Sequence, residues 1–151
     1  MNEDTNPIRI ALEEAVLASQ RDEVPVGAVI VDKSGQIIAR AGNETRQTKD
    51  PTAHAEMVAI RRAAQILDND RLAECSLYVT LEPCAMCAGA ISHARLKKLV
   101  FGAYDPKGGA VDHGARFFEQ KTCLHKPDII GGVDAQECGI ILQEFFKSKR
   151  N

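Results

Sequence analysis

The feature that most constrains how this chain can fold is a pair of short motifs thirty residues apart. Pro83-Cys84-Ala85-Met86-Cys87 carries two thiols, and His54-Ala55-Glu56 carries an imidazole and a carboxylate. Two thiolates and an imidazole are ligand types that zinc selects, and three protein ligands leave one position open for water or substrate. The Cys-x-x-Cys spacing lets both sulfurs reach one ion from a single helical turn. His54 can join them only through tertiary folding. Any fold for this sequence must therefore bring two distant segments together at one point. Glu56, two residues past the histidine, is then free to move protons rather than bind metal.

The flanking patterns say what those segments are. Asn6 as N-cap and Pro7 as first helical residue open a helix. Its apolar face is Ile8, Ala11, Leu12, Ala15 and Ser19, so it runs to about Gln20. Val26 to Val31 is short, apolar and β-branched, a buried strand. Asp32-Lys33-Ser34-Gly35 makes a turn, and residues 36–41 return as the second strand of a hairpin. Residues 42–49 read as a polar loop containing Asn43. Asp50 or Thr52 caps the next helix, with Pro51 near its first turn and Met57, Ile60, Ala64 and Leu67 as its buried stripe. Leu77 to Leu81 is a strand, and Pro83 opens a third helix with Cys84 and Cys87 at its start. Leu99-Val100-Phe101 is a fourth strand. A Gly-rich segment, 102–114, reads as a functional loop. Asp128 to Ile130 forms a short last strand before a helix from about Ala135 to Lys147. Helices alternating with strands predict a three-layer α/β/α domain spanning residues 1–151.

This layout puts both ligand groups at helix starts. The positive end of a helix macrodipole and its free N–H groups favour thiolate over thiol. Bound zinc lowers the pKa of a water toward about 7, and Glu56 can take and pass on the proton. Two other readings of the cysteines stand beside this one. Cys-x-x-Cys after a strand is also a redox motif. It is also half of a structural zinc site, closed by His54 and by Cys75 or His93. Cys75, Cys123 and Cys138 read as packing residues. His113 and His125 carry no specific signal.

The five cysteines of the 151-residue chain are odd in number and only one pair is close, which suits a reducing compartment. No apolar run approaches the roughly 20 residues of a membrane span, and the acidic first residues lack a signal-peptide pattern. A cytoplasmic location without membrane attachment is the expectation. The net charge of −2 does not announce a nucleic-acid binder. Its uneven distribution reads on charge alone as a solvated surface with a basic tail, and more sharply as a local phosphate-contacting patch near the zinc site. Residues 1–90 hold 9 Lys+Arg against 14 Asp+Glu, whereas residues 91–151 hold 10 against 7.

His-x-Glu followed by Pro-Cys-x-x-Cys is the signature of the zinc-dependent nucleobase deaminases, the cytidine/deoxycytidylate deaminase superfamily. Within that superfamily the chain resembles the bacterial tRNA-specific adenosine deaminases. The matching stretches are Glu23 to Val29, Asp50 to Glu56, Thr80 to Ala90, and Phe101-Gly102-Ala103 with Asp105. The resemblance implies a cytidine-deaminase-like fold with a central five-stranded mixed sheet, and a homodimer. It implies one Zn²⁺ per subunit held by His54, Cys84 and Cys87, with Glu56 as the catalytic proton shuttle and no organic cofactor. The implied reaction converts the wobble adenosine of a tRNA anticodon loop to inosine: water adds at C6, Glu56 protonates N1, and ammonia leaves. Carried over position by position, Asn43, Ala55, Asp105, Lys107, Phe145 and Arg150 are the implied substrate-binding residues. Taken without the resemblance, Asn43 reads as a turn residue and Phe145 as core packing.

Two departures from the family pattern bear on RNA recognition. Leu124-His125-Lys126 stands where members often carry Asn-His-Arg. The Gly-rich segment runs Gly108-Gly109-Ala110-Val111-Asp112-His113 instead of ending in Gly-Ser. A deaminase of a free nucleobase or nucleoside, and a binding module with structural zinc, are the competing functional readings.

Overall fold

The structure is a computed structural model that describes residues 6–149. Helix α1, Pro7–Gln20, starts where the capping signals put it: the Asn6 side chain accepts the Ile8 N–H at 3.3 Å. Its buried face is Ile8, Ile10, Ala11, Leu12, Ala15 and Ala18. Ser19 turns outward instead and bonds its hydroxyl to the Val16 carbonyl.

Strand β1, Gly27–Val31, is buried along its whole length, and β2, Ile37–Gly42, returns antiparallel beside it. The turn between them is built on Asp32, whose Oδ1 accepts the Ser34 N–H, the Ser34 hydroxyl and the Gln36 N–H. Gly35 supplies the positive φ that the turn requires. At Gly27 a Cβ would lie 1.8 Å from the Ala11 carbonyl oxygen. Only glycine lets α1 approach the sheet so closely.

Two corrections to the expected layout follow from local hydrogen bonding. The supposed loop at 42–49 contains a single-turn helix, α2, Thr45–Thr48. Helix α3 spans Ala55–Leu67 and begins later than Asp50 or Thr52 would have set it. The reason is that Asp50 Oδ1 folds back onto the N–H and hydroxyl of Thr52, a local turn that competes with helix.

The remaining elements are β3 (Ser76–Leu81), α4 (Ala85–His93), β4 (Lys98–Ala103), β5 (Asp128–Ile130) and α5 (Ala135–Lys149). A single-turn 3₁₀ helix, Phe117–Glu119, interrupts the long segment after β4. The strands form one five-stranded mixed sheet in the order β2-β1-β3-β4-β5. Strand β1 is antiparallel to both neighbours, whereas β3, β4 and β5 run parallel. The expected five-stranded mixed sheet is therefore present.

Helices α3 and α4 cover one face over a core that includes Ile30, Leu77, Ile91, Leu99 and Phe101. Helices α1 and α5 cover the other, where Ala11 meets Val29 and Leu12 meets Ala103 and Cys138. This sandwich leaves the carboxyl ends of the parallel strands β3 and β4 open. That is where open α/β sheets place their ligand sites.

Candidate metal centre and its pocket

Residues His54 and Cys84 are the N-cap residues of α3 and α4, each in extended conformation, and neither side chain caps its helix. The two helix starts meet. His54 Nδ1 lies 3.7 Å from Cys84 Sγ and 3.5 Å from Cys87 Sγ. All three donor atoms lie within 4.8 Å of one another. A tetrahedral Zn²⁺, with Zn–N near 2.05 Å and Zn–S near 2.3 Å, requires N···S separations of about 3.6 Å. The donor set therefore fits zinc in both chemistry and spacing.

Charge is unevenly shared within the trio. A hydrogen bond from the Cys87 thiol, helped by His54, brings the Cys84 thiol down to about 4. Donating that hydrogen, together with burial, pushes Cys87 up. The bond to Cys84 raises the His54 imidazole against the opposing effect of burial. Binding of a metal ion by these donors releases the protons they share. Glu56, in the first turn of α3 and 4 % exposed, is pushed up to about 7 by burial. A carboxyl poised near neutrality takes and gives protons with little bias.

These groups open into a pocket of about 320 Å³. Asn43, His54, Glu56, Cys84 and Asp105 all line it. Cys87 lies fully buried behind them. Ala55 is fully buried and donates its N–H to Asn43 Oδ1 at 2.8 Å. Lys107 is exposed beside the pocket, its N–H on Asp105 Oδ1. Phe145 is half-buried on α5, against the Phe146 ring and under Lys149 Nζ, and does not line the pocket. Arg150 lies outside the described residues.

Sequence reasoning missed the two carboxylates that hold the pocket's side walls. Glu23 is 1 % exposed and accepts the N–H groups of Arg46 and Gln47 and the Thr45 hydroxyl, fixing α2 beside Asn43. Glu82 is 2 % exposed and gathers five donors from the loop after β4. Burial would raise the Glu82 carboxyl. The N–H of Asp105 and the His113 ring, with the N–H groups of Asp112 and Val111, outweigh it and hold the group below the usual carboxylate range. The available signal was a lone charge at the end of an apolar strand, which is costly unless fully paired.

An open α/β sheet bearing a His/Cys/Cys set over a buried glutamate defines a class, the metal-dependent hydrolases that deliver water to a bound substrate. Comparison with known proteins narrows it. The model of the cytidine and deoxycytidylate deaminase zinc-binding region matches residues 1–103. A tRNA-specific adenosine deaminase from Agrobacterium fabrum is 54% identical over 150 residues, covering 99% of this chain and 98% of that protein. A solved structure from a study of A-to-I editing by tRNA:A34 deaminases superposes with a TM-score of 0.88 at 54% identity, covering 90% of this chain and 98% of that one. A guanine deaminase from Bacillus subtilis is more distant, with 30% identity, a TM-score of 0.64, and coverage of 100% of this chain and 96% of that one. The chain belongs to the cytidine and deoxycytidylate deaminase family, in its tRNA-specific adenosine deaminase branch.

Proposed function

We propose that this zinc-binding deaminase converts adenosine to inosine at the wobble position of a tRNA anticodon loop. The observation that carries the chemistry is the placement of Glu56, buried and titrating near neutrality beside the His54/Cys84/Cys87 donors. In this reading those three residues hold one Zn²⁺ per subunit, and the bound ion makes water nucleophilic near pH 7. Glu56 accepts a proton from the attacking water and delivers it to adenine N1 as the water oxygen bonds to C6. It then carries the second proton to the exocyclic amine. The C6–N6 bond breaks, ammonia leaves, and the ring regains its carbonyl form as inosine. Glu56 ends as it began.

The other residues hold the substrate. Asn43 Oδ1 is committed to Ala55 N–H, so its Nδ2 is the group left for the nucleotide. Asp105 and Lys107 form the opposite wall, with Lys107 free to meet a phosphate. Phe145 and Arg150 belong to the far end of α5 and would contact the loop outside the pocket. The protein acts in the cytoplasm as a homodimer, and residues 1–151 form one catalytic domain. The likeness along almost the full length to a tRNA-specific adenosine deaminase favours this substrate over a free base.

The test is incubation of zinc-loaded protein with an arginine-tRNA anticodon stem-loop, followed by mass spectrometry of the product. Inosine at the wobble position is the expected result. Its absence, with ammonia released from free nucleobases instead, would overturn the proposal.

A further inference from the structure

Glu82 stands at the junction between β3 and the Cys84 helix, and the loop after β4 wraps around its carboxylate. Oε1 accepts the Asp105 N–H at 3.0 Å and faces His113 Nδ1 at 2.8 Å. Oε2 accepts the N–H groups of Val111, Asp112 and His113 at 3.1, 2.9 and 3.1 Å. The carboxylate accepts only, so the proton lies on Nδ1 of the imidazole. Gly109 makes the wrap possible: a Cβ there would lie 2.5 Å from Glu82 Cδ. Two further bonds complete the seat, from Ala110 N–H to the Pro83 carbonyl and from Gly108 N–H to Asp105 Oδ1. Glu82 lines the pocket together with Asp105 and Gly108 at the loop's near end, so the clamp is anchored in the pocket's own wall.

We infer that Glu82 is a positioning residue that holds the 105–113 wall closed on the substrate, and that the His113 ring is the side-chain fastener of that clamp. Four of the five donors are backbone groups, which any sequence supplies. The fifth is chosen by sequence: it is the ring of His113. The strength of that bond sets how readily the wall opens. The link to the substrate rests on the function proposed above; the clamp itself does not.

Hydrogen exchange on the zinc-loaded full chain reads the clamp without any substrate. In His113→Ala the amides of Val111, Asp112 and His113 should exchange about tenfold faster, the scale of one lost hydrogen bond to a charged group. His113→Asn places an N–H donor where Nδ1 stood and should restore most of the protection. His113→Gln places it where Nε2 stood and should not. Unchanged exchange in His113→Ala, or better rescue by Gln than by Asn, would show that the ring only fills space and would overturn the inference.

The second variant reads the wall's effect on substrate. Glu82→Gln removes the charge and sets an NH2 group against two or three of the five donors, according to which way the amide lies. Zinc content should hold, KM for the stem-loop should rise by at least about tenfold, and kcat should change far less, because bound substrate closes the wall again. A fall in kcat at unchanged KM would overturn the positioning role. An unsubstituted protein inactive on the stem-loop would overturn the proposed function instead, and exchange would still decide the clamp.

Discussion

The side-chain oxygen of Asn43 accepts the backbone N–H of Ala55 at 2.8 Å and so caps a helix to which it does not belong. The N-cap position of α3 is taken by His54, whose side chain is turned to the two thiols. A residue twelve positions upstream supplies the missing acceptor. Asn43→Ala should therefore cost about 1–2 kcal/mol of stability, the scale of a lost N-cap, and should lower deamination as His54 loses its fixed start. Thermal unfolding and inosine formation on the same samples check both. Asn43→Asp keeps the acceptor, so it should keep most of the stability while losing the amide donor proposed to meet the nucleotide.

Glu56 is buried, near neutral in pKa, and outside the donor trio. Glu56→Gln should retain zinc by elemental analysis while inosine formation falls by about 10²–10⁴-fold, the range for a positioned proton-transfer group. Chelation should abolish activity in the wild type and leave it restorable by added Zn²⁺. Zinc loss together with activity in Glu56→Gln would place the carboxylate among the ligands.

The hairpin turn should make part of the stability pH-dependent. The Ser34 hydroxyl, then the N–H groups of Gln36 and Ser34, hold the Asp32 carboxyl below its ordinary value despite some desolvation. A lowered folded value means the unfolded chain protonates first. The turn's contribution is therefore full above about pH 3.9 and drains away as the pH falls through the folded value. Denaturant midpoints taken from pH 6 to pH 3 should fall for the wild type and fall less for Asp32→Asn.

Lys107 is exposed, two residues past Asp105, which lines the pocket. If it meets a phosphate of the anticodon loop, log affinity should decline linearly with log salt, and Lys107→Ala should make the slope shallower by about 0.7. Binding titrations at several salt concentrations measure it. An unchanged slope would remove Lys107 from the interface.

What could be read from the sequence was what depends on near neighbours or on a distinctive ligand chemistry. The start of α1 followed from Asn6 and Pro7, and the donor trio from ligand chemistry and spacing. The start of α3 was misplaced because Asp50 has a second local use, bonding Thr52 two residues on. Helix α2 is stabilised by Glu23, which lies more than twenty positions earlier. Glu82 draws its donors from positions 23 to 31 residues later. No window along the chain contains either pairing. Buried carboxylates in apolar settings are the sequence trace that such long-range bonding leaves.

Strand β1 pairs with β3 across about fifty residues, with Ala28 opposite Val79. His54 follows the hairpin that contains β1, and Cys84 follows β3, so this pairing is the event that brings the trio together. It is also the antiparallel seam between the hairpin and the parallel half of the sheet. Such non-local pairing is slow relative to helix formation. The trio should therefore assemble after the helices have formed. During synthesis or refolding, zinc uptake should lag the appearance of helix, and a chain that has captured its ion has already joined its two halves.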